Sequence, residues 1–184
     1  MNSKKQLKQN NQQEREDIEI FKAANKSIIL SFNISQDKSF DKVIIAFSKY
    51  NQNNKAELYM RSFIAKDELR AIMQLIMNGR FKNIKFSNTD KKGVFISYGG
   101  SKNGGTTLIR KGNQLKPAIP EGVESRILRI YFHKGSYYIQ LNAYPGKIIR
   151  NGAISKAGDE IGSLYFKLNT NNLYSLASAI IKNV

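Results

Sequence analysis

Residues 126–144, which read RILRIYFHKGSYYIQLNAY, contain two segments in which apolar and polar side chains alternate. Alternation with a period of two is typical of a β-strand with one face on the core and one face in solvent. The segments, residues 126–133 and 136–144, are separated by Lys134-Gly135, a short basic turn. This stretch therefore predicts two consecutive strands, each with one apolar face and one polar face.

The same alternation continues at residues 163–168, a third predicted strand. The inward faces of the three strands carry leucine, isoleucine and phenylalanine, so they form the predicted core. The opposite faces are rich in tyrosine and in cations, and we take these as candidate ligand-binding residues: Arg129, Tyr131, Tyr138, Tyr144, Tyr165 and Lys167. The strands of the first half of the chain have fewer tyrosines and cations on their predicted outer faces, and the candidates there are Tyr50, Tyr59 and Arg61.

Outside this region the pattern indicates further strands and two helices. Short runs of Val, Ile, Tyr and Phe predict strands at residues 17–22, 27–34, 42–50 and 56–64. A helical period then begins near Lys66 and ends at Asn78-Gly79, a suitable left-handed cap. The second half closes with another amphipathic helix, for which Thr170 or Asn171 is the predicted N-cap.

The two halves match at their strand-to-helix junctions. Residues 58–61 (LYMR) align with residues 164–167 (LYFK), and the apolar positions of the two following helices align as well. This similarity predicts an internal duplication. The expected fold class is α+β, with two tandem ββββα repeats that form curved antiparallel sheets packed against two helices. The expected division is a disordered basic and polar tail (1–16), a first repeat (17–79), a Gly-rich hairpin insert contributing a strand (80–124) and a second repeat (125–184).

Charge and composition restrict the function. The 184 residues include 30 Lys plus Arg against 14 Asp plus Glu, which gives a formal net charge of +16. Residues 1–26 hold six of those cations and four of the acids, so nearly all of the excess lies on the remaining chain. With no cysteine and one histidine, thiolate zinc sites, cysteine nucleophiles and histidine-rich metal sites are excluded. We expect no cofactor.

The chain shows no apolar run long enough to cross a bilayer and no apolar stretch near its N-terminus that would indicate a signal peptide. We therefore expect an intracellular protein of the cytoplasm or nucleoid, neither secreted nor bound to a membrane. Its net charge predicts a polyanionic partner.

An antiparallel sheet with exposed aromatic rings and cations on one side can hold a single nucleic-acid strand. Bases stack on the rings and phosphates approach the cations, and each stacked base contributes about 1–3 kcal/mol. The nine residues above therefore predict a non-enzymatic protein that binds single-stranded DNA or RNA with low sequence specificity.

The order of elements, four strands and a helix given twice, resembles the Whirly and PUR families of single-stranded DNA- and RNA-binding proteins. Residues 164–170 (LYFKLNT), followed by an amphipathic helix, also look like the single-unit transcriptional coactivators related to those families. The resemblance covers about residues 17–184. It implies a curved antiparallel sheet that carries the ligand, helices that hold two repeats or two subunits together, and no catalytic residues.

Two other functions are compatible with the sequence. One is an assembly or scaffold protein of a virus or mobile element, whose basic surface neutralises nucleic acid and which forms a homo-oligomer. The other is a metal-dependent nuclease that uses the adjacent carboxylates Asp159 and Glu160. Adjacent residues on a loop rarely converge on one ion, so the nuclease is the less favoured of the two.

Overall fold

A computed structural model describes residues 17–37 and 39–184, which form an α+β fold with two antiparallel sheets and two helices. The tail predicted at residues 1–16 lies outside the described residues. The first half contains β1 (Asp17–Ala24), β2 (Ile28–Ser35), β3 (Lys42–Tyr50), β4 (Ala56–Ala65) and α1 (Lys66–Met77). After a single 3-10 turn (Phe81–Asn83) come β5 (Val94–Ser101), β6 (Leu108–Lys111), β7 (Gln114–Pro117), β8 (Glu124–His133), β9 (Ser136–Ile148), β10 (Ile154–Lys156), β11 (Gly162–Leu168) and α2 (Thr170–Asn183).

The first sheet has the strand order β1-β2-β3-β4-β6-β7. Strands β1 to β4 follow one another along the chain, each antiparallel to the last. The β6–β7 hairpin comes from the middle of the chain and pairs with β4, where Tyr59 lies opposite Leu108. Strand β4 is therefore an interior strand with a neighbour on each side.

The second sheet is built around β9, the longest strand. One side of β9 pairs with β8, which in turn pairs with β5. Its other side pairs with β11 over residues 137–143 and with β10 over residues 146–148. Among the strands of the described residues, β11 pairs with β9 alone and forms an edge of the sheet, followed directly by α2.

The turn between β8 and β9 fixes their register. Lys134 and Gly135 both adopt positive φ angles, 46° and 76°, as in the type I′ turn that suits a two-residue hairpin. His133 consequently lies opposite Ser136, and Tyr131 lies opposite Tyr138.

The predicted bounds of the first helix are confirmed. Helix α1 begins at Lys66, and Gly79, with φ 67°, follows its last residues. The amide of Arg80 donates to the carbonyl of Leu75, and the amide of Gly79 donates to the carbonyl of Ile76, which closes a Schellman motif.

The predicted N-cap of the second helix is wrong by one or two residues. The cap is Asn169, whose side-chain oxygen accepts a hydrogen bond of 2.8 Å from the amide of Asn172. Thr170 is already helical, and it and Asn171 therefore lie inside α2. The amide of Asn172 lies in the first helical turn, where it has no acceptor within the helix, and Asn169 supplies one.

The inner faces of both sheets and of both helices share one continuous core. The two helices contact each other, and α2 also contacts β1 of the first sheet. The core includes Leu30, Phe47, Met60, Leu69, Met73, Phe81, Leu128, Leu141, Phe166 and Ile180. The predicted apolar inner faces of these strands are therefore confirmed, whereas the outer face of β3 also carries the buried apolar residues Ile44 and Ala46.

A buried charged pair joins the sheets. Arg126 and Glu124, both on β8, have side chains that are almost fully buried. One guanidinium nitrogen (Nη1) of Arg126 donates to the carbonyl of Arg61 on β4 at 2.7 Å. The side-chain hydroxyls of Thr106 and Thr107 each donate a hydrogen bond to the carboxylate of Glu124. Burial lowers the pKa of Arg126, and the nearby Glu124 opposes that shift.

Candidate nucleic-acid interface

Five of the nine predicted residues come together on the outer face of the second sheet. Tyr131 on β8 lies opposite Tyr138 on β9, and Tyr138 lies opposite Lys167 on β11. In the next row along the strands, Arg129 and Tyr165 lie on the two sides of Gln140. We call this group the tyrosine–cation surface: Arg129, Tyr131, Tyr138, Tyr165 and Lys167.

The rings of this surface are arranged by the sheet itself. The rings of Tyr131 and Tyr138 are stacked, with centroids 5.1 Å apart and an interplanar angle of 10°. The ring of Tyr165 lies 6.5 Å from that of Tyr138 and is tilted by 52°. Tyr165 is 57% exposed because β11 is an edge strand. The surface therefore presents ordered aromatic rings, one of them open to solvent.

Its electrostatics favour an anionic ligand. Burial raises the pKa of Tyr131, and the hydroxyls of Tyr138 and Tyr165 raise it further, whereas Arg129 lowers it. The Tyr131 phenol is therefore neutral near pH 7 and adds no negative charge to the surface. Lys167 adds positive charge at the edge strand.

A hydrogen-bond chain orients Arg129. Its Nη1 donates to the side-chain oxygen of Asn142 at 2.7 Å. The side-chain nitrogen (Nδ2) of Asn142 donates to the carboxylate of Glu160 at 2.7 Å and to the hydroxyl of Ser163 at 2.9 Å. The guanidinium is therefore held on the outer face, where it also interacts with the side chain of Tyr144.

Tyr144 lies on the same outer face, next to Arg129, but is not open to solvent. It has the expected strand alternation, but it is only 8% exposed, so its expected accessibility is wrong. Its hydroxyl donates to Glu160 at 3.1 Å, and the ammonium of Lys156 lies 4.1 Å from its ring centroid. The segment after β10 folds back over this end of β9, where the amide of Ala157 donates to the carbonyl of Pro145. Burial, and then the hydrogen bond to Glu160, raise the pKa of Tyr144.

Tyr50, Tyr59 and Arg61 lie on the first sheet, apart from the tyrosine–cation surface. Tyr59 is half-buried between Ser48 and Leu108, and this burial raises its pKa. Tyr50 ends β3 and borders a shallow cavity of about 520 Å³.

The surroundings of Arg61 are largely apolar. Its cross-strand neighbour Ala46 and the nearby Ile44 are buried, and Phe40 packs edge-on against Phe63 with centroids 5.8 Å apart. The outer face of the first sheet is therefore partly covered.

The structure adds residues that the sequence did not single out. Tyr98 on β5 is 60% exposed on the same outer face as Arg129. Next to Arg129 and Tyr131 lies an open cavity of about 460 Å³, bordered also by the turn that contains Asp90 and Lys91. The alternation of Val94, Ile96 and Tyr98 contained a signal for this part of the face, but only the pairing of β5 with β8 brings it next to the predicted site.

One of the two carboxylates considered for a nuclease has other partners. Glu160 accepts the hydrogen bonds from Asn142 and Tyr144. Within residues 17–37 and 39–184, no group of three or more His, Asp or Glu side chains is placed to hold a metal ion.

None of the helices in the described part of the chain is long and apolar enough to span a membrane. No protein-family model and no curated protein matches the chain at a significant level. The geometry and charge of the surface are therefore the basis for a functional assignment.

Proposed function

We propose that the protein binds single-stranded DNA or RNA with low sequence specificity through the tyrosine–cation surface, without catalysing a reaction. The observation that carries this proposal is the row of Tyr131, Tyr138 and Lys167 across three strands, with the exposed ring of Tyr165 beside it. Open rings next to cations suit an unpaired strand, whose bases are free to stack, better than a duplex, whose bases are already stacked on each other.

The net charge of +16 supports the same ligand. Each base stacked on a tyrosine contributes about 1–3 kcal/mol, and cations that contact phosphates release condensed counterions. A sheet face is also a suitable platform because its side chains are fixed by strand pairing and lose little further freedom on binding. We place this activity inside the cell, in the cytoplasm or nucleoid.

The proposed internal duplication and the resemblance to the Whirly and PUR families stay part of this hypothesis. They are supported by the chain order of the paired strands, β1-β2-β3-β4 followed by α1 and β5-β8-β9-β11 followed by α2. In this scheme the β6–β7 hairpin and β10 are insertions into the second unit. The contact between the two helices would then hold the units together.

The direct test is a fluorescence-anisotropy titration of a labelled single-stranded oligonucleotide at several salt concentrations. We expect binding at low salt that weakens steeply as salt rises. The variant Tyr138→Ala/Tyr165→Ala should bind at least about tenfold more weakly, since two stacking rings are lost. Tyr174→Ala is the matched control, because Tyr174 on α2 is 57% exposed, as Tyr165 is, but lies away from the sheet face.

Absence of binding by the wild-type protein at low salt would reject the proposal. Equal losses of affinity in the double variant and in Tyr174→Ala would show that the binding site is not the tyrosine–cation surface. Light scattering with and without oligonucleotide addresses the scaffold alternative, which requires the protein to form large assemblies when nucleic acid is added.

A further inference from the structure

An open cavity borders the tyrosine–cation surface at Arg129 and Tyr131. Its volume is about 460 Å³, within the range of small-molecule sites. Its floor is formed by side chains of β5 and β8, where Val94 lies directly opposite Tyr131 in the sheet. The turn that contains Asp90 and Lys91 borders this floor.

The polar groups around this cavity include both hydrogen-bond donors and acceptors. Arg129 and Lys91 supply donors, Asp90 supplies an acceptor, and Gln140 supplies both. The turn that carries Asp90 and Lys91 is ordered locally, since the amide of Lys91 donates to the hydroxyl of Thr89 at 3.1 Å. One carboxylate oxygen (Oδ1) of Asp90 lies 3.2 Å from the ammonium of Lys85, which leaves its second oxygen open.

We infer that this cavity binds one guanine base of the bound strand and gives an otherwise unspecific surface a preference at one position. The inference rests on the proposed function, because the strand has to reach the cavity across the neighbouring tyrosines. In this arrangement one face of the base stacks on Tyr131 and Ile96, and the charged residues contact its edges.

Guanine fits this set of groups better than the other bases. Its N1 and N2 hydrogens are adjacent donors for the carboxylate of Asp90, and its O6 and N7 are acceptors for cations such as Lys91 and Arg129. Thymine and uracil have one ring N–H between two carbonyls and offer no amino group to the carboxylate. Adenine and cytosine each have an amino group, but neither combines it with an adjacent ring N–H.

The test compares oligothymidylates that differ at one central position, which holds guanine, inosine, adenine or thymine. Inosine is guanine without the 2-amino group, so this pair isolates the contact assigned to Asp90. We expect the guanine oligonucleotide to bind wild-type protein about two- to tenfold more tightly than the inosine one, the effect of a single hydrogen bond. Anisotropy measured at one fixed salt concentration gives the ratio of the two dissociation constants.

The variant Asp90→Ala should bring this ratio to one. The change also removes a negative charge, which affects the binding of all four oligonucleotides, and for this reason the ratio is the readout. Glu19→Ala is the matched control, since Glu19 is likewise an exposed acid in an ion pair, with Lys22 on the first sheet. It should preserve the preference for guanine. A second variant, Ile96→Phe, fills the cavity and should also abolish the preference.

The outcomes separate this inference from the proposed function. If wild-type protein binds none of the oligonucleotides, the proposed function itself fails. If it binds all four equally, or if Asp90→Ala retains the wild-type ratio of guanine to inosine, the guanine site is rejected while the single-strand surface stands.

Discussion

The outer faces of the two sheets begin from the same sequence pattern and end with different accessibility. Tyr59 and Arg61 on β4 correspond to Tyr165 and Lys167 on β11 in the alignment of the two halves. Tyr165 is 57% exposed, whereas Tyr59 is half-buried and its pKa is raised by that burial. The local pattern therefore determines which face a side chain occupies but not whether that face stays open.

Strand position explains this difference. β4 lies between β3 and β6, so Tyr59 has side chains on both sides, while β11 pairs with β9 alone among the described strands. The first sheet is also covered from β8, where the guanidinium of Arg126 lies 5.4 Å from the ring centroid of Phe63. The edge position of β11 therefore leaves Tyr165 more exposed than Tyr59.

The largest expected effect comes from removing the buried pair that joins the two sheets. Arg126→Ala should lower the free energy of unfolding by about 3–5 kcal/mol, because it leaves the carboxylate of Glu124 buried without its charged partner. Urea denaturation measures this loss. The double variant Glu124→Gln/Arg126→Met removes both charges and should cost less than the sum of the two single changes. An unfolding midpoint for Arg126→Ala equal to that of wild type would contradict this account of how the sheets are joined.

The second prediction sets the edge-strand tyrosine against the interior one. Tyr165→Ala should weaken binding of a single-stranded oligonucleotide by about 1–3 kcal/mol through loss of a stacking ring. Tyr59→Ala should leave affinity nearly unchanged and should instead reduce stability, because the side chain is half-buried. Anisotropy titrations and urea denaturation of both variants measure the two effects. If Tyr59→Ala lost more affinity than Tyr165→Ala, the ligand would bind on the first sheet instead.

The third prediction compares the two aligned cations. Lys167→Ala should reduce the slope of log affinity against log salt by about one unit if its ammonium contacts a phosphate. Arg61→Ala should leave that slope unchanged, because Arg61 lies on the partly covered face with Phe63. Titrations over a range of salt concentrations give both slopes. Equal changes in the two variants would mean that the bound strand extends over both sheets.

The smallest expected effect concerns pH. Burial raises the pKa of Tyr131 above the usual value for tyrosine, so the phenol stays protonated well past neutrality. Affinity at constant salt should therefore change little between about pH 7 and about pH 9, below the ordinary tyrosine pKa. Ionisation above that range would place negative charge on the surface and weaken binding. A loss of affinity centred between those two values would show that a different group controls binding.

Local structure could be predicted well from the sequence. The strand alternation at residues 126–144 assigned the inner and outer faces of β8 and β9, and the cap at Gly79 was recognised because a left-handed residue favours glycine. These features depend on a few neighbouring residues, so the chain itself contains the information.

Features that depend on contacts between distant segments could not be predicted. Tyr144 alternates correctly, but the segment after β10 covers it. The addition of the β6–β7 hairpin to the first sheet, and the cavity between β8 and the turn at Asp90, follow from long-range pairing that no local pattern contains. The sequence consequently predicted five residues that share one sheet face, but not which of the predicted residues are open to solvent.

The arrangement of the tyrosine–cation surface also depends on the two-residue turn at Lys134-Gly135, which lies outside that surface. Because strand side chains alternate, a shift of one residue in the pairing of β8 with β9 would send Tyr138 towards the core and Ile139 towards solvent. A single inserted codon in this turn would thus interchange the faces of the central strand, exposing the hydrophobic interior and burying the rings. The length of this loop is as much a determinant of the surface as the tyrosines themselves.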